Sequence, residues 1–343
     1  MKILVDLKHP ADVHFFRHVV RRLRQDGHEV TTVCRDTPIV RELLDHEGAP
    51  YTPLGPRGRG ALGLGWEQLR RDWRLWRLAR RIRPDVMVAK NGIAVGHVGA
   101  LLRIPSLSFE DAEHARMQIR LSRPFVTHIL TEDCFLESAG PKHERYASLN
   151  PLAYLHPRQF QPDPDALAPL GLAPGQPYVV VRFIAWDALH DARVARASEE
   201  ERRWMIDELA RLARVVIVPE GTLAADLRRF APPLPAHRFH DVLALSAAHV
   251  GEGGSTAAEA AVLGVPSVYM NRLGVGYIRE LSRYGLCRWE TEPEAAVALV
   301  RGWLADAAGT RAKFAAARNR LLAEKEDLVE WVARRIVAAG GAA

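Results

Sequence analysis

A glycine-rich segment in the second half of the chain has the composition of a phosphate-binding loop. Residues 251–259 read GEGGSTAAE and lie between an apolar stretch and a helix that runs to Leu263. Glycines here let the backbone approach a diphosphate closely, and Ser255 and Thr256 add hydroxyl groups at the helix start, where negative charge is favoured. Glu259 lies one turn further on the same helix face, where its carboxylate can accept hydrogen bonds from ribose hydroxyls. A capping box from Thr256 to Glu259 beside a tight turn explains the same spacing equally well.

An acidic segment follows an apolar stretch in the first half of the chain. Residues 110–114 read EDAEH, which places three carboxylates and one imidazole within five positions. Like charges this close repel each other unless water or a ligand disperses them, so we expect a polar ligand here. Asp111 is the candidate base or the partner of the base, and Glu110 and His114 are expected beside the bound ligand. A solvated acidic loop before a helix is the alternative.

Other polar residues of the first half also follow apolar strands. His14 falls in the first turn of the first predicted helix, and its imidazole can take a proton from an acceptor hydroxyl or donate one to a phosphate. A buried, hydrogen-bonded histidine is the alternative interpretation. His9, in the turn before that helix, and Asn91, in the stretch 90–92 at the end of another strand, are expected to line the same pocket.

These side chains need a sheet that brings the ends of strands together. Apolar, β-branched stretches alternate with helical periodicity, and they predict strands at residues 2–7, 28–34, 50–54, 85–89, 105–109, 126–131, 178–183, 214–219, 248–251 and 267–270. Strands that alternate with helices form parallel sheets covered on both faces. Such sheets bind ligands at the carboxyl ends of their strands, so the loops after strands are the places to look for a site.

The middle of the chain interrupts this alternation. Residues 150–177 contain seven prolines, which indicates a linker or domain boundary. A chain of 343 residues also exceeds the roughly 250 that one core usually supports. We therefore predict two α/β domains, residues 1–155 and 156–325, and a C-terminal helix at 326–343 that packs back on the first domain.

Composition narrows the class of protein further. The formal net charge of +6 fits an anionic partner of any size, but aromatic residues do not alternate along a strand as nucleic-acid stacking requires. Cys34, Cys134 and Cys287 have no CxxC spacing, which fits a reducing cytoplasm and argues against a zinc knuckle. The charged N-terminus does not resemble a signal peptide, and no apolar run approaches the roughly 18 residues of a membrane span.

Residues 66–81 predict an arginine-rich helix with an apolar face. Trp66, Leu69, Trp73 and Trp76 fall near one side of it, and arginines cover much of the rest. Such a helix can make peripheral contact with an anionic membrane, as it would if the acceptor were lipid-linked. The interpretation that the tryptophans pack on the sheet is favoured.

Several motifs together resemble a known group of enzymes. The glycine-rich loop, the Ala-Glu pair one turn later and the Gly-Val-Pro at 264–266 resemble the donor loop of GT-B glycosyltransferases, and are similar to the peptidoglycan N-acetylglucosaminyltransferase and the UDP-N-acetylglucosamine 2-epimerases. The chain resembles more closely an uncharacterised family of predicted glycosyltransferases that opens with an HPxxVHFF stretch, here residues 9–16. Further blocks of this resemblance lie at 109–114, 152–157, 182–188 and 240–241.

The resemblance implies a GT-B fold, with two Rossmann-like domains whose parallel sheets face each other across a cleft. It also implies that the second domain binds a nucleotide diphosphate sugar, with UDP as the expected nucleotide. Arg182, at the end of that domain's first strand, would hold the diphosphate bidentately, and a surface salt bridge is its alternative. The implied donor-binding residues are Arg182, Glu220, Gly221, His240, Gly253, Gly254, Ser255, Thr256 and Glu259.

Some of these assignments have plain structural alternatives. His240 lies where GT-B enzymes often recognise the base, but an N-cap role explains the neighbouring Asp241 equally well. Glu220 and Gly221 also fit an ordinary turn. The Asp-x-Asp at 163–165 falls in the proline-rich segment and not after a strand, so we expect no metal site and no cofactor.

The implied reaction is transfer of the sugar to an unidentified acceptor. The implied acceptor-binding residues are His9, Asn91, Glu110 and His114. The acceptor hydroxyl or amine attacks the anomeric carbon, His14 or Asp111 takes its proton, and the departing diphosphate rests against Arg182 and the helix start at Ser255. A UDP-sugar 2-epimerase of the same fold, which needs no acceptor, is one alternative. A nucleotide-sugar-binding protein without catalytic activity is another.

Overall fold

In the computed structural model, which describes residues 1–58, 60–111, 116–173, 175–184 and 198–341, the polypeptide divides into two units. The first unit consists of Met1–Tyr154 and Lys325–Ala343, and the second consists of Leu155–Glu324. Both units are α/β structures in which a parallel sheet is flanked by helices, as the alternation in the sequence predicts.

The first unit is built on one sheet of seven strands, namely β1 (Lys2–Leu7), β2 (Glu29–Cys34), β3 (Tyr51–Pro53), β4 (Val86–Lys90), β5 (Ser106–Phe109), β6 (His128–Glu132) and β7 (His143–Tyr146). All neighbours are parallel, in the order β3-β2-β1-β4-β5-β6-β7. The strand order reverses between β1 and β4, which makes their carboxyl ends the point where open sheets of this kind bind ligands. β7 was not predicted.

Helices cover this sheet, and their bounds are α1 (Pro10–Gln25), α2 (Pro38–His46), α3 (Gly60–Ile82), α4 (Ile93–Leu102) and α5 (Arg116–Ser122). Both faces of the sheet are therefore shielded from water, which explains why β4 is buried at every position. One buried ion pair joins sheet to helix: the guanidinium of Arg71 on α3 donates to the carboxylate of Asp6 on β1. Charges this deeply buried need such a partner.

Two tryptophans of α3 do not lie where the favoured interpretation of residues 66–81 placed them. Trp66 and Trp73 do not pack on the sheet, since both side chains are more than half exposed. The face that packs inward carries Leu75 and Ala79 instead.

A short helix, α6 (Leu152–Leu155), contains the boundary between the two units, which lies between Tyr154 and Leu155. The second unit has five parallel strands, β8 (Tyr178–Arg182), β9 (Arg214–Ile217), β10 (Ala248–Gly251), β11 (Ser267–Tyr269) and β12 (Cys287–Trp289). Their order is β12-β11-β10-β8-β9, so the reversal lies between β8 and β10. The helices are α7 (Glu199–Leu212), α8 (Phe239–Ala244), α9 (Gly254–Leu263), α10 (Gly276–Tyr284), α11 (Pro293–Ala305) and α12 (Ala307–Glu324).

The proline-rich segment is not a plain linker. Pro164–Leu170 forms a 3-10 helix, and Leu167, Leu170 and Leu172 are buried in the core of the second unit. The side chain of Asp163 accepts a hydrogen bond from the Asp165 amide and caps this helix.

The last helix, α13 (Leu328–Gly341), belongs to the first unit. It packs against α1 and β4 through buried residues that include Leu328, Val332 and Ile336. Arg335 on its outer side donates to Glu144 of β7. The chain thus begins and ends in the same unit.

Candidate functional site

The glycine-rich segment forms the loop between β10 and α9. Gly253 is the N-cap of α9, and no side chain of the described residues caps the helix start. Thr256 and Glu259 both lie inside the helix, so the capping-box interpretation is wrong. The first backbone amides of α9 and the positive end of its dipole therefore point toward the loop after β10. Helix starts of this kind bind phosphate groups in other proteins.

Two glycines of this loop are required by close contacts. A Cβ atom on Gly251 would lie 2.5 Å from the carbonyl oxygen of Arg182 on the neighbouring strand. A Cβ on Gly254 would lie 2.5 Å from the hydroxyl of Tyr277 on α10. Neither position can accept a side chain without movement of its neighbour.

His240 and Glu259, both predicted from the resemblance to contact the donor, meet in the second unit. Nε2 of His240 on α8 lies 3.2 Å from Oε1 of Glu259 on α9, and both side chains are buried. Asp241 is not an N-cap, because α8 is preceded by Arg238 and Asp241 lies in its first turn, where it accepts a hydrogen bond from the Asp163 amide.

Arg182 stands at the carboxyl end of β8, as predicted. Its Nε donates to Oε1 of Glu220 at 3.0 Å, and its guanidinium lies over the ring of Phe239. The structure therefore contains the salt bridge that was the alternative interpretation of Arg182. It joins Arg182 to Glu220, and both residues were predicted to bind the donor. Glu220 and Gly221 are exposed and lie three residues or more beyond β9.

A buried ion pair under the glycine-rich loop was not predicted. Oε1 of Glu252 accepts from Nη2 of Arg202 on α7 at 2.6 Å, and its Oε2 accepts from the Ile184 amide at 3.3 Å. The side chain of Asn271 donates to the backbone carbonyl of Glu252. These bonds hold the loop in place from three directions. Glu252 was visible inside the motif, but Arg202 lies fifty positions earlier with no local signal.

In the first unit, the residues after β1 and β4 meet at the strand reversal. Nζ of Lys8 donates to the carbonyl oxygen of Asn91 at 2.6 Å. Asn91 adopts a left-handed backbone conformation with φ of 47°, and its Oδ1 is buried with no hydrogen-bond partner among the described residues. Burial lowers the pKa of Lys8.

A charged cluster surrounds this point. Nζ of Lys90 donates to Oδ2 of Asp111 at 2.5 Å, and Asp12 accepts from the amides of Lys8 and His9. Burial acts to lower the pKa of Lys90, but the charges of Asp111 and Asp12 outweigh it and raise that pKa overall. Burial raises the pKa of Asp12. Asp111 is thus held beside an ammonium group that stays charged.

Glu110 is the carboxyl most suited to proton transfer. It is buried, and burial raises its pKa to about 7, although the hydrogen bond from Ser108 to its Oε1 at 2.5 Å opposes this rise. Its Oε2 is buried without a partner in the described part of the chain. A carboxyl that titrates near neutral pH can serve as acid or base.

Glu132, at the end of β6, is a second such carboxyl that sequence reasoning missed. Burial raises its pKa to about 8, and its Oε1 accepts from the Asn150 amide at 2.5 Å. Asp111 contributes to the rise for both Glu110 and Glu132. The signal was present, because a Glu-Asp pair stands at the carboxyl end of each strand: Glu132 ends β6 and Asp133 follows it, and Glu110-Asp111 follows β5.

The predicted histidines are in different situations. His14 lies in the second turn of α1, not the first, is 7% exposed, and stacks on Tyr154 with 5.5 Å between ring centroids. His9 is exposed and is the N-cap of α1, where its side chain and Asp12 form a capping box. His114 lies outside the described residues.

Other features of the described residues bear on the chemistry. One cavity of about 330 Å³ opens beside α1 and α2, lined by Phe16 and Arg21 among others, and contains none of the predicted site residues. In the same described ranges, no three His, Cys, Asp or Glu side chains are grouped to hold a metal ion. No helix there is long and apolar enough to cross a membrane.

Comparison of the sequence finds a family model that matches the first part of the chain. Residues 1–139 match the family described as "Protein of unknown function (DUF354)". The chain is also 22% identical over 281 residues to an uncharacterised protein of Methanocaldococcus jannaschii, a match that covers 78% of this chain and 81% of the relative.

Comparison of the structure extends to the whole chain. The UDP-GlcNAc 2-epimerase of Neisseria meningitidis, solved bound to UDP-GlcNAc, is similar with a TM-score of 0.68 and 12% identity over 98% of this chain and 99% of the epimerase. The glycosyltransferase SnogD of Streptomyces nogalater is similar with a TM-score of 0.64 and 21% identity over 99% and 100%. The resemblance seen in the motifs is thereby confirmed: residues 1–139 carry the DUF354 sequence, and the chain has the fold shared by GT-B glycosyltransferases and UDP-N-acetylglucosamine 2-epimerases.

Proposed function

We propose that the second unit binds a nucleotide diphosphate sugar, with UDP as the nucleotide, and that the chain transfers the sugar to an acceptor. The observation that carries this proposal is the buried pair of His240 and Glu259. Glu259 lies in the second turn of α9, whose N-cap, Gly253, makes no side-chain hydrogen bond. A buried carboxylate that is already oriented by an imidazole suits the two hydroxyls of a ribose. The helix start beside it suits the diphosphate.

Departure of the diphosphate requires positive potential at that helix start. The N-terminal amides of α9 supply part of this potential, and Arg182 supplies the rest. Its hydrogen bond to Glu220 uses only Nε, so its two terminal nitrogens can turn to phosphate oxygens. No metal ion takes part in this proposal.

Proton transfer is assigned to the first unit. The acceptor oxygen or nitrogen forms a bond to the anomeric carbon, the bond from that carbon to the diphosphate breaks, and the acceptor proton passes to Glu110. The raised pKa of Glu110 supports its choice over His14, which is stacked on Tyr154. Asp111, paired with Lys90, positions the acceptor.

A UDP-sugar 2-epimerase is the second candidate, and one observation favours it. Glu110 and Glu132 have pKa values of about 7 and about 8, so one can be ionised while the other is protonated at neutral pH. An acid and a base of this kind are what removal and return of a proton on one sugar require. The solved epimerases of this fold support the same candidate.

Incubation with radiolabelled UDP-sugars separates the candidates. Transfer leaves the labelled sugar unchanged without an acceptor and moves it to a new product when a cell extract supplies acceptors. Epimerisation produces an isomeric UDP-sugar from the substrate alone. Both activities should persist in EDTA and should be lost in Glu110→Gln, while Glu294→Gln, an exposed control on α11, should retain them. Binding of UDP with no product in either assay, and with Glu110→Gln unchanged, would leave only a binding protein.

A further inference from the structure

An exposed apolar stripe runs along the outer face of α3. Leu62, Trp66, Leu69 and Trp73 follow each other at intervals of four, three and four residues, which places them on one side of a helix. Their side chains are 93%, 58%, 63% and 53% exposed. Contiguous apolar surface of this kind marks an interaction site.

A stripe of arginines runs beside the apolar one. It has the same spacing of four, three and four residues and consists of Arg70, Arg74, Arg77 and Arg81. The guanidinium groups of Arg70 and Arg77 lie over the rings of Trp66 and Trp73, at 5.1 and 4.8 Å from the ring centroids. The cations therefore lie at the border of the apolar stripe.

The acidic residues of α3 do not neutralise these arginines. Glu67 accepts from Nε of Arg35 at 2.6 Å, and Asp72 is bonded to Nδ1 of His97 at 2.8 Å. Both carboxylates are thus engaged by side chains of other elements, and the four arginines give the outer face of α3 a net positive charge.

The opposite side of α3 fixes the helix in this orientation. Leu75 and Ala79 are buried in the core of the first unit, and Arg71 is held by Asp6 of β1. A rotation that buried the tryptophans would expose these groups and break a buried ion pair. The stripe therefore faces outward as a property of the fold.

We propose that this face of α3 lies on a membrane surface that contains acidic lipids. Tryptophan and leucine enter the boundary between headgroups and acyl chains, and the neighbouring arginines contact lipid phosphates. The charge of the stripe selects this occupant over a second copy of the chain, which would bring a second row of arginines to the same surface. This inference goes beyond the proposed transfer reaction and does not depend on it.

The test is vesicle co-sedimentation of the full chain. Vesicles of phosphatidylcholine alone are compared with vesicles that also contain phosphatidylglycerol. We expect binding to the acidic vesicles only, and we expect it to weaken as salt is added, because screening shortens the reach of the arginine charges. Arg70→Gln with Arg77→Gln should weaken binding by about 25-fold, at about fivefold for each arginine near such a surface.

The tryptophans give an independent readout. Trp66→Ser with Trp73→Ser should reduce binding at least about tenfold by removing buried apolar area. Trp204→Ser and Arg283→Gln, exposed residues of the second unit, are the matched controls and should bind as the unaltered chain does. Thermal unfolding should show all variants folded.

Three results would overturn the proposal. One is equal binding to both kinds of vesicle, and another is no binding to either. The third is a dimer in sedimentation experiments that the tryptophan variant converts to monomer while vesicle binding stays absent.

Discussion

Nε2 of His240 lies 3.2 Å from Oε1 of Glu259, although 19 positions separate the two residues and they belong to different helices. The pair lies at the carboxyl edge of the second sheet, near the loop that the sequence marks as phosphate-binding. Its burial means that loss of either partner leaves the other without its hydrogen bond in a dry environment.

This pair predicts the behaviour of the proposed nucleotide site. Glu259→Gln keeps the shape of the side chain but removes its charge and one acceptor oxygen, so affinity for UDP should fall about tenfold. Isothermal titration calorimetry measures this affinity. Glu200→Gln, an exposed residue of α7, should bind UDP normally. Unchanged affinity in Glu259→Gln would remove the donor site from this edge.

The two glycines at the start of α9 predict a sharp contrast. Gly254→Ala brings a Cβ atom to 2.5 Å from the hydroxyl of Tyr277, whereas at Gly253 the nearest atoms are 3.9 Å away. Gly254→Ala should weaken UDP binding by up to about tenfold, since the Tyr277 side chain beside the helix start must move, and Gly253→Ala should change it little. Addition of Tyr277→Ala to Gly254→Ala should restore part of the affinity. Equal effects of the two single changes would contradict this account.

Glu110 predicts the pH dependence of turnover. A base must be ionised to accept a proton, so kcat/KM should fall as the pH drops through about 7, the pKa to which burial raises this carboxyl. The hydrogen bond from Ser108 lowers that pKa, so Ser108→Ala should move the acidic limb to higher pH. Glu110→Gln should cost roughly 10²-fold to 10⁴-fold. A profile in Ser108→Ala identical to that of the unaltered chain would assign the limb to another group.

Glu132 predicts how stability depends on pH. Its pKa is about 8 in the folded chain and 4.5 ordinarily, so the folded state holds a proton that the unfolded state has lost between these values. The stability contributed by the neutral carboxyl is full below pH 4.5 and is lost as the pH rises through about 8. Glu132→Gln, which stays neutral, should therefore melt roughly 5 °C higher than the unaltered chain at alkaline pH. The two should converge in acid, and differential scanning calorimetry measures both limits.

The buried pair of Asp6 and Arg71 predicts a large loss of stability. Arg71→Met leaves Asp6 buried without its partner and should reduce the free energy of unfolding by roughly 3–5 kcal/mol. The double change Asp6→Asn with Arg71→Met should recover most of it. Urea unfolding measures both, and a single variant as stable as the unaltered chain would show that Asp6 finds another partner.

The sequence predicted the fold well because its signals are local. Strands buried on both faces read as apolar runs, and polar residues that follow them identify one edge of each sheet. Arg182 was named on that basis, and it lies at the end of β8, where it pairs with Glu220. His240 was named from the resemblance, and it pairs with Glu259 of the glycine-rich segment. The chain segments that were missed, β7 and β12, are short and partly exposed, so they lack an apolar run.

Long-range contacts account for the remaining errors. The stacking of His14 on Tyr154 joins residues 140 positions apart, and the pairing of Arg202 with Glu252 joins residues 50 apart. Neither contact leaves a periodic pattern in the sequence from which it could be predicted. Glu132 was within reach of sequence reasoning, but its importance depends on a burial that only the folded chain reveals.

The return of α13 to the first unit has a consequence for synthesis of the protein. Residues 155–324 form one uninterrupted stretch, so that unit can finish folding before residues 328–341 leave the ribosome. The other unit must wait for Leu328–Gly341 to cover α1 and β4. The first unit thus matures after the second, although most of it is synthesised earlier, and a nascent chain that stops before residue 328 would leave apolar surface for chaperones to protect.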